Sequence, residues 1–171
     1  DLAFLREMRE FEITGDASVR DSAMEWQPKE LALMRSADMA YYPSYVEVDE
    51  VHKIDPGIKV KAIPAYLFDD VKWEGYDFES RKDIMFIGGF GHRPNVDAVK
   101  WIANEILPEL LKLQPDVKIH ILGSNAPKEV LALANEHLII EGFVTDEQLA
   151  WFYRNMRISL VPLRYGAGIK G

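Results

Sequence analysis

Apolar and polar positions along the first third of the chain fall into helical and strand-like runs. Residues 1–12 and about 18–37 read as helices; in the second, Met24, Leu31, Met34 and Ala37 recur at helical spacing with Lys and Glu between them. Asp38 to Tyr42 is a short apolar strand stopped by Pro43-Ser44. Ser44 can cap a helix over 45–53, whose Glu47, Asp49 and Glu50 suit its positive end. Asp55-Pro56-Gly57 is a turn, and Ile58 to Ile63 a strand ended by Pro64. Residues 66–82 are aromatic and charged without a period and read as a linker.

From Asp83 the pattern becomes regular. Ile84 to Ile87 is a buried strand, and Pro94 opens a helix to about Leu113 with one apolar stripe of Val96, Val99, Ile102, Ile106, Leu110 and Leu113. Pro108 lies inside that helix and should kink it. Strand 117–122, helix 128–135, strand 138–141, helix 146–155, strand 158–162 and a glycine-rich end follow. The alternation predicts an α/β fold, a Rossmann-like parallel sheet with helices on both faces. Strands 84–87, 117–122, 138–141 and 158–162 should share one sheet, and residues 30–64 should contribute to a separate, incomplete one.

Composition narrows the classes. With 171 residues, 48% of them apolar and 28% charged, the chain is globular, either one domain or parts of two. There is no cysteine, which removes disulfides, thiolate metal sites and cysteine nucleophiles and suits a reducing compartment. No run reaches the roughly 20 apolar residues of a membrane span, and Asp1 opens an acidic stretch unlike a signal peptide. The reading is a cytoplasmic protein, with peripheral membrane attachment left open for the parent. The net charge of −8 is uneven: residues 1–80 hold 18 acidic and 9 basic groups, hence −9, and residues 81–171 hold 10 and 11, hence +1. Nucleic acid is a poor partner for the acidic half, whereas a small anionic ligand suits the second.

In open parallel sheets ligands bind beyond the carboxyl ends of the strands. The informative loops are 88–93, 123–127, 142–145 and 163–171. All four are glycine-rich or open with glycine, and two carry cations, His92 and Arg93 in the first, Arg164 and Lys170 in the last. Glycines let backbone amides approach a phosphate, although they also make ordinary tight turns. Standard fingerprints fail informatively. Gly89-Phe-Gly91-His-Arg-Pro94 has proline where a dinucleotide motif needs glycine. Gly166-Ala-Gly-Ile-Lys-Gly171 matches only the first six positions of a Walker A loop. There is no Asp-x-Asp to hold a sugar-nucleotide metal, His52, His92, His120 and His137 lack metal-ligand spacing, and His120 reads as core or sheet surface. No metal and no cofactor are expected.

The stretches Phe86-Ile-Gly-Gly-Phe-Gly-His-Arg-Pro-Asn-Val-Asp-Ala98, Ile121-Leu-Gly-Ser124, Glu141-Gly-Phe-Val144 and Val161-Pro-Leu-Arg-Tyr-Gly-Ala-Gly-Ile-Lys-Gly171 resemble, in order and interval, the donor-domain half of family 4 glycosyltransferases, enzymes of two-domain GT-B architecture. The resemblance implies that residues 1–65 close an N-terminal, acceptor-side domain, 66–82 link, and 83–171 begin a C-terminal nucleotide-sugar-binding domain. It implies a retaining transfer of a sugar from a nucleotide-diphosphate donor to a carbohydrate or other acceptor. Gly88, Gly89 and Gly91, with Arg93 beside them, would lie near the donor phosphates; Gly123 and Ser124 would border the nucleotide, and Phe143 and Val144 its base. Arg164 and Lys170 would stand at the diphosphate or sugar as the catalytic cations, with Gly166 and Gly168 keeping their loop slim.

The family's glutamate pair and its acceptor-side strands have no counterpart here, so the chain reads as an interior piece that is inert by itself. A sugar-nucleotide epimerase of similar architecture, a non-catalytic α/β interaction domain and a P-loop nucleotidase are the alternatives.

Overall fold

The computed structural model describes residues 1–63 and 77–169. The chain divides into two compact units: the described residues of the first are 1–63 and 165–169, and those of the second are 77–164. The predicted exit at Pro64, most of the linker and Lys170 lie outside the described residues. Residues 165–169 group with the first unit, whereas the sequence division assigns 83–171 together. Among the described residues no helix is long and apolar enough to cross a membrane.

In the first unit, α1 (Ala3–Thr14) and α2 (Ala17–Ser36) precede β1 (Ala40–Tyr42), α3 (Tyr45–Ile54) and β2 (Val60–Ala62). The two strands pair in parallel, Ala40 opposite Val60. Ser44 caps α3 as its position predicts, its hydroxyl accepting from the Val46 amide. The stripe on α2 is rotated from the expected one: Val19, Ala23, Leu31 and Met34 face the core, while Met24 and Ala37 are exposed. Two carboxylates hold the start of α1. Glu30 accepts the Ala3 and Phe4 amides at 3.0 Å each, and the fully buried Glu47 accepts the Leu2 amide at 2.8 Å. Burial, followed by the charges of Glu30 and Glu47, pushes the Tyr42 hydroxyl above its usual range.

The hydrogen bond from Arg35, then the Gly57 amide, holds the Asp55 carboxyl below its ordinary value. A carboxylate depressed in the folded state contributes stability above about pH 4, its unfolded value, and loses it as pH falls through the lower folded value. Arg35→Gln is therefore expected to flatten the acid limb of the first unit's unfolding, read as melting temperature against pH between about pH 5 and 2. An unchanged acid limb counts against the pair.

The second unit carries β3 (Lys82–Ile87), α4 (Arg93–Trp101), α5 (Leu107–Leu113), β4 (Ile119–Leu122), α6 (Lys128–Leu131), β5 (Leu138–Gly142), α7 (Asp146–Asn155) and β6 (Met156–Ser159). All its strands are parallel, in the order β5-β4-β3-β6. Side chains alternate to two covered faces, as such a sheet requires. Ile84, Phe86, Ile119 and Ile121 pack with Val99, Ile102 and Leu107, while Met85 and Leu122 pack with Phe152 and Met156.

Several boundaries differ from expectation, each through a specific contact. Between α4 and α5 the ladder widens into a π-helical segment, Ile102–Ile106, where the Leu107 amide reaches the Ile102 carbonyl. Pro108 has no N–H to offer the preceding turn, and the wider turn accommodates it. Leu113, predicted on the buried stripe, is 76% exposed. Helix 128–135 shortens to one turn because Asn135 Oδ1 accepts the His137 and Leu138 amides and starts β5. Strand 117–122 begins at Ile119, since the Lys118 amide goes to the Asp83 carboxylate. Strand 158–162 is displaced to Met156–Ser159: its ladder opposite β3 ends where the Leu160 amide meets the Met85 carbonyl, just ahead of Pro162.

Candidate functional site

The chain runs from β3 to β4 to β5 across the sheet and then returns to place β6 on the other side of β3. Where the order reverses, the loops leaving the two neighbouring strands diverge and open a crevice at their carboxyl ends. Here those strands are β3 and β6, followed by residues 88–92 and 160–164. The β4 and β5 loops stand on the same edge, since Ile87, Leu122 and Gly142 are in register.

The first two loops interlock. The Gly88 amide donates to Leu122 O at 2.9 Å, the Phe90 amide to Ser124 O at 3.1 Å and the His92 amide to Gly89 O at 3.2 Å. A Cβ on Gly123 would lie 2.0 Å from the Gly88 carbonyl oxygen, so only a residue without one lets the loops close this tightly. The Gly123 amide donates to Gly142 O at 2.7 Å, tying in the third loop. Gly89 and Gly91 face open space, and among the described residues their amides make no hydrogen bond. Phe143 is 78% exposed, while Val144 packs toward Phe152 and Met156.

Charge distinguishes the helix starts at this edge. α4 has proline in its first turn and no acidic residue there. α7 begins with Asp146 and Glu147 behind a capping box of Thr145 and Gln148. The Glu147 backbone amide, then the Thr145 hydroxyl, holds the Glu147 carboxyl below its usual range. The start of α7 already has its anions, so an anionic ligand is better served by residues 88–91.

Arg93 is an exposed residue opening α4. Arg164 lies five residues past β6 rather than at a strand end, and is joined to Asp97 of α4. Its Nε donates to Asp97 Oδ2 at 2.9 Å, a second donor engages Oδ1, and the guanidinium lies 5.7 Å over the Trp101 ring. Gly166 and Gly168 are described with the first unit, where Gly166 O accepts from Arg9 at 2.6 Å and Gly168 lies near Asp1, Pro43 and Glu47. His120 lies on β4, its side chain 15% exposed and its Nδ1 2.7 Å from Oε1 of Glu141 on the neighbouring β5. Among the described residues no group of three or more His, Asp or Glu is placed to hold a metal ion.

Sequence reasoning missed Asn95 and Asp97. Asn95 is 5% exposed, and its Nδ2 donates to Gly89 O at 2.7 Å. The available signal was an asparagine in a first helical turn facing a glycine loop, a residue type that bonds nearby backbone in preference to helix.

A family model described as glycosyl transferases group 1 matches residues 81–171. An uncharacterized 44.6 kDa protein in the cps region of Klebsiella pneumoniae is 25% identical over 134 residues, which are 74% of this chain and 34% of that protein. The chain thus spans about a third of that relative's length. The crystal structure of TarM is similar with a TM-score of 0.57 at 12% identity, over 79% of this chain and 27% of that one, a likeness of fold. With more than half of its residues inside the family match, the chain belongs to the group 1 glycosyl transferases.

Proposed function

We propose that the chain is part of a retaining glycosyltransferase of family 4, in which the second unit binds a nucleotide-diphosphate sugar whose glycosyl group passes to an acceptor held elsewhere in the protein. The convergence of loops 88–92, 123–124 and 142–144 at one sheet edge, within the family match, carries this reading. The leaving diphosphate gains negative charge as the glycosidic bond breaks. Fixed N–H donors at Gly89 and Gly91 would stabilise that charge most in the transition state. Ser124 would border the nucleotide, and exposed Phe143 offers a ring face for its base. Protein donors and cations supply this chemistry without a metal, in keeping with the missing Asp-x-Asp.

The test is a titration of the chain with UDP and with GDP, followed by amide NMR with and without magnesium. The expected result is movement of the Gly89, Gly91, Ser124, Phe143 and Val144 resonances, indifferent to magnesium. Millimolar nucleotide that leaves all three loops unmoved returns the chain to a non-catalytic interaction domain. A response confined to 166–171 favours the P-loop alternative.

A further inference from the structure

We infer that Asn95 is a positioning residue that aims the Gly89 and Gly91 amides at the donor diphosphate. The inference rests on the nucleotide reading above and assigns the part of the first α4 turn in it. Of the amides from 88 to 92, alternate ones are used internally: Gly88, Phe90 and His92 donate to Leu122, Ser124 and Gly89 carbonyls. The Gly89 and Gly91 amides between them make no hydrogen bond among the described residues. Two amides left over two residues apart in one glycine loop, with no side chain in the way at either, can both be met by one anion.

What fixes the pattern is the peptide joining Gly89 to Phe90. Its carbonyl accepts Asn95 Nδ2 at 2.7 Å, and its N–H donates to Ser124 O at 3.1 Å. A trans peptide is rigid, so bonds at both its ends set its plane; with the Gly88 and His92 amides also tied, the peptides on either side have few directions left. Ser124 holds one end from the β4 loop and Asn95 the other from α4. The Asn95 side chain is buried and also presses on Gly88, where a Cβ would come within 2.7 Å of its Cγ. The amide therefore has little room to swing away. An isosteric aspartate would fill the same space while setting a carboxylate oxygen against the Gly89 carbonyl, acceptor against acceptor. Loss of the donor releases the peptide without opening a cavity.

Asn95→Asp is the decisive variant, with Asn95→Ser, which keeps a shorter donor, as the milder one. In the aspartate variant the Gly89 and Gly91 resonances should move while the methyl spectrum of the sheet core stays in place. Its affinity for UDP should fall about 5- to 20-fold, the scale of one misplaced charge-assisted hydrogen bond, with the serine variant between it and the parent chain. Uridine, which lacks phosphate, should bind all three chains alike; a residue that merely supports the fold would weaken both ligands together. Hydrogen exchange on the unaltered chain supplies an arm independent of mutant folding. The Gly88, Phe90 and His92 amides should be protected with or without UDP, and those of Gly89 and Gly91 only with it. Equal loss of UDP and uridine, unchanged UDP affinity in the aspartate variant, or no UDP-dependent protection at Gly89 and Gly91 overturns the role of Asn95. Failure of the unaltered chain to bind UDP at all overturns the nucleotide reading first, and the positioning role with it.

Discussion

Gly123→Ala is expected to destabilise the second unit by about 3 kcal/mol or more, because it makes the closest Cβ clash among the described glycines. The added Cβ would stand 2.0 Å from the Gly88 carbonyl oxygen and 2.8 Å from its carbon, with the Phe90 ring at 3.4 Å. Both close atoms are backbone, and that backbone has nowhere to go. Gly88 is tied by its amide to Leu122 O, and the Asn95 side chain occupies the space a Cβ of Gly88 would need. Gly123 is tied to Gly142 O at 2.7 Å. Relief needs the β3 and β4 loops to part, breaking the Phe90-to-Ser124 bond that couples them. Gly89→Ala and Gly91→Ala, placed in open space, are the controls and should change stability by under about 0.5 kcal/mol. Because the chain has two units, urea unfolding is best followed by hydrogen exchange at the β3 and β4 amides rather than by one global signal. A Gly123→Ala chain as stable as the parent would mean that the loops do not close against each other as described.

The order of elements and the parallel sheet were legible because the signals for them are local and repeated. Strands covered on both faces are apolar, as Ile84 to Phe86 are throughout and Ile119, Ile121 and Leu122 are around the one polar residue, His120. Ser44 announced the helix it caps, because a cap depends on a hydroxyl and the next two or three amides alone. Boundaries set by distant partners were not legible. The start of β4 depends on Asp83, 35 residues earlier, and β6 takes its limits from β3 across the sheet. Periodicity placed Met24 and Leu113 inside, but a stripe edge is decided by the width of what packs on it; both are exposed. Within the candidate site the glycine of the β4 loop was visible in the sequence, and the backbone reason for it at Gly123 is the close Gly88 carbonyl. Asn95 and Asp97 could not, because their importance lies in partners at Gly89 and Arg164 that only the folded chain brings near.

Arg164→Ala should weaken UDP binding by about 1–3 kcal/mol, provided the nucleotide occupies the crevice between β3 and β6. The size follows from what stands around the guanidinium. Its Nε and a second nitrogen are engaged by Asp97, whose side chain is only 14% exposed. Removing the arginine subtracts a cation and also unmasks a poorly solvated carboxylate beside the place proposed for a diphosphate. The two effects act in the same direction, so they separate only in a double-mutant cycle. Asp97→Asn combined with Arg164→Ala should recover part of the affinity lost in the single arginine variant, since the unmasked charge is then absent. Arg164→Lys should fall between the parent and the alanine variant, because an ammonium keeps the charge but not the planar fork or the stacking over Trp101. Arg93→Ala, at the exposed start of α4, should cost less than Arg164→Ala. Calorimetry at two salt concentrations checks the electrostatic origin, with the difference between parent and Arg164→Ala shrinking as salt rises. If Arg164→Ala binds UDP as the parent does, while its second unit melts earlier, the guanidinium serves to fasten residues 160–164 to α4, and the donor charge is met by the Gly89 and Gly91 amides alone.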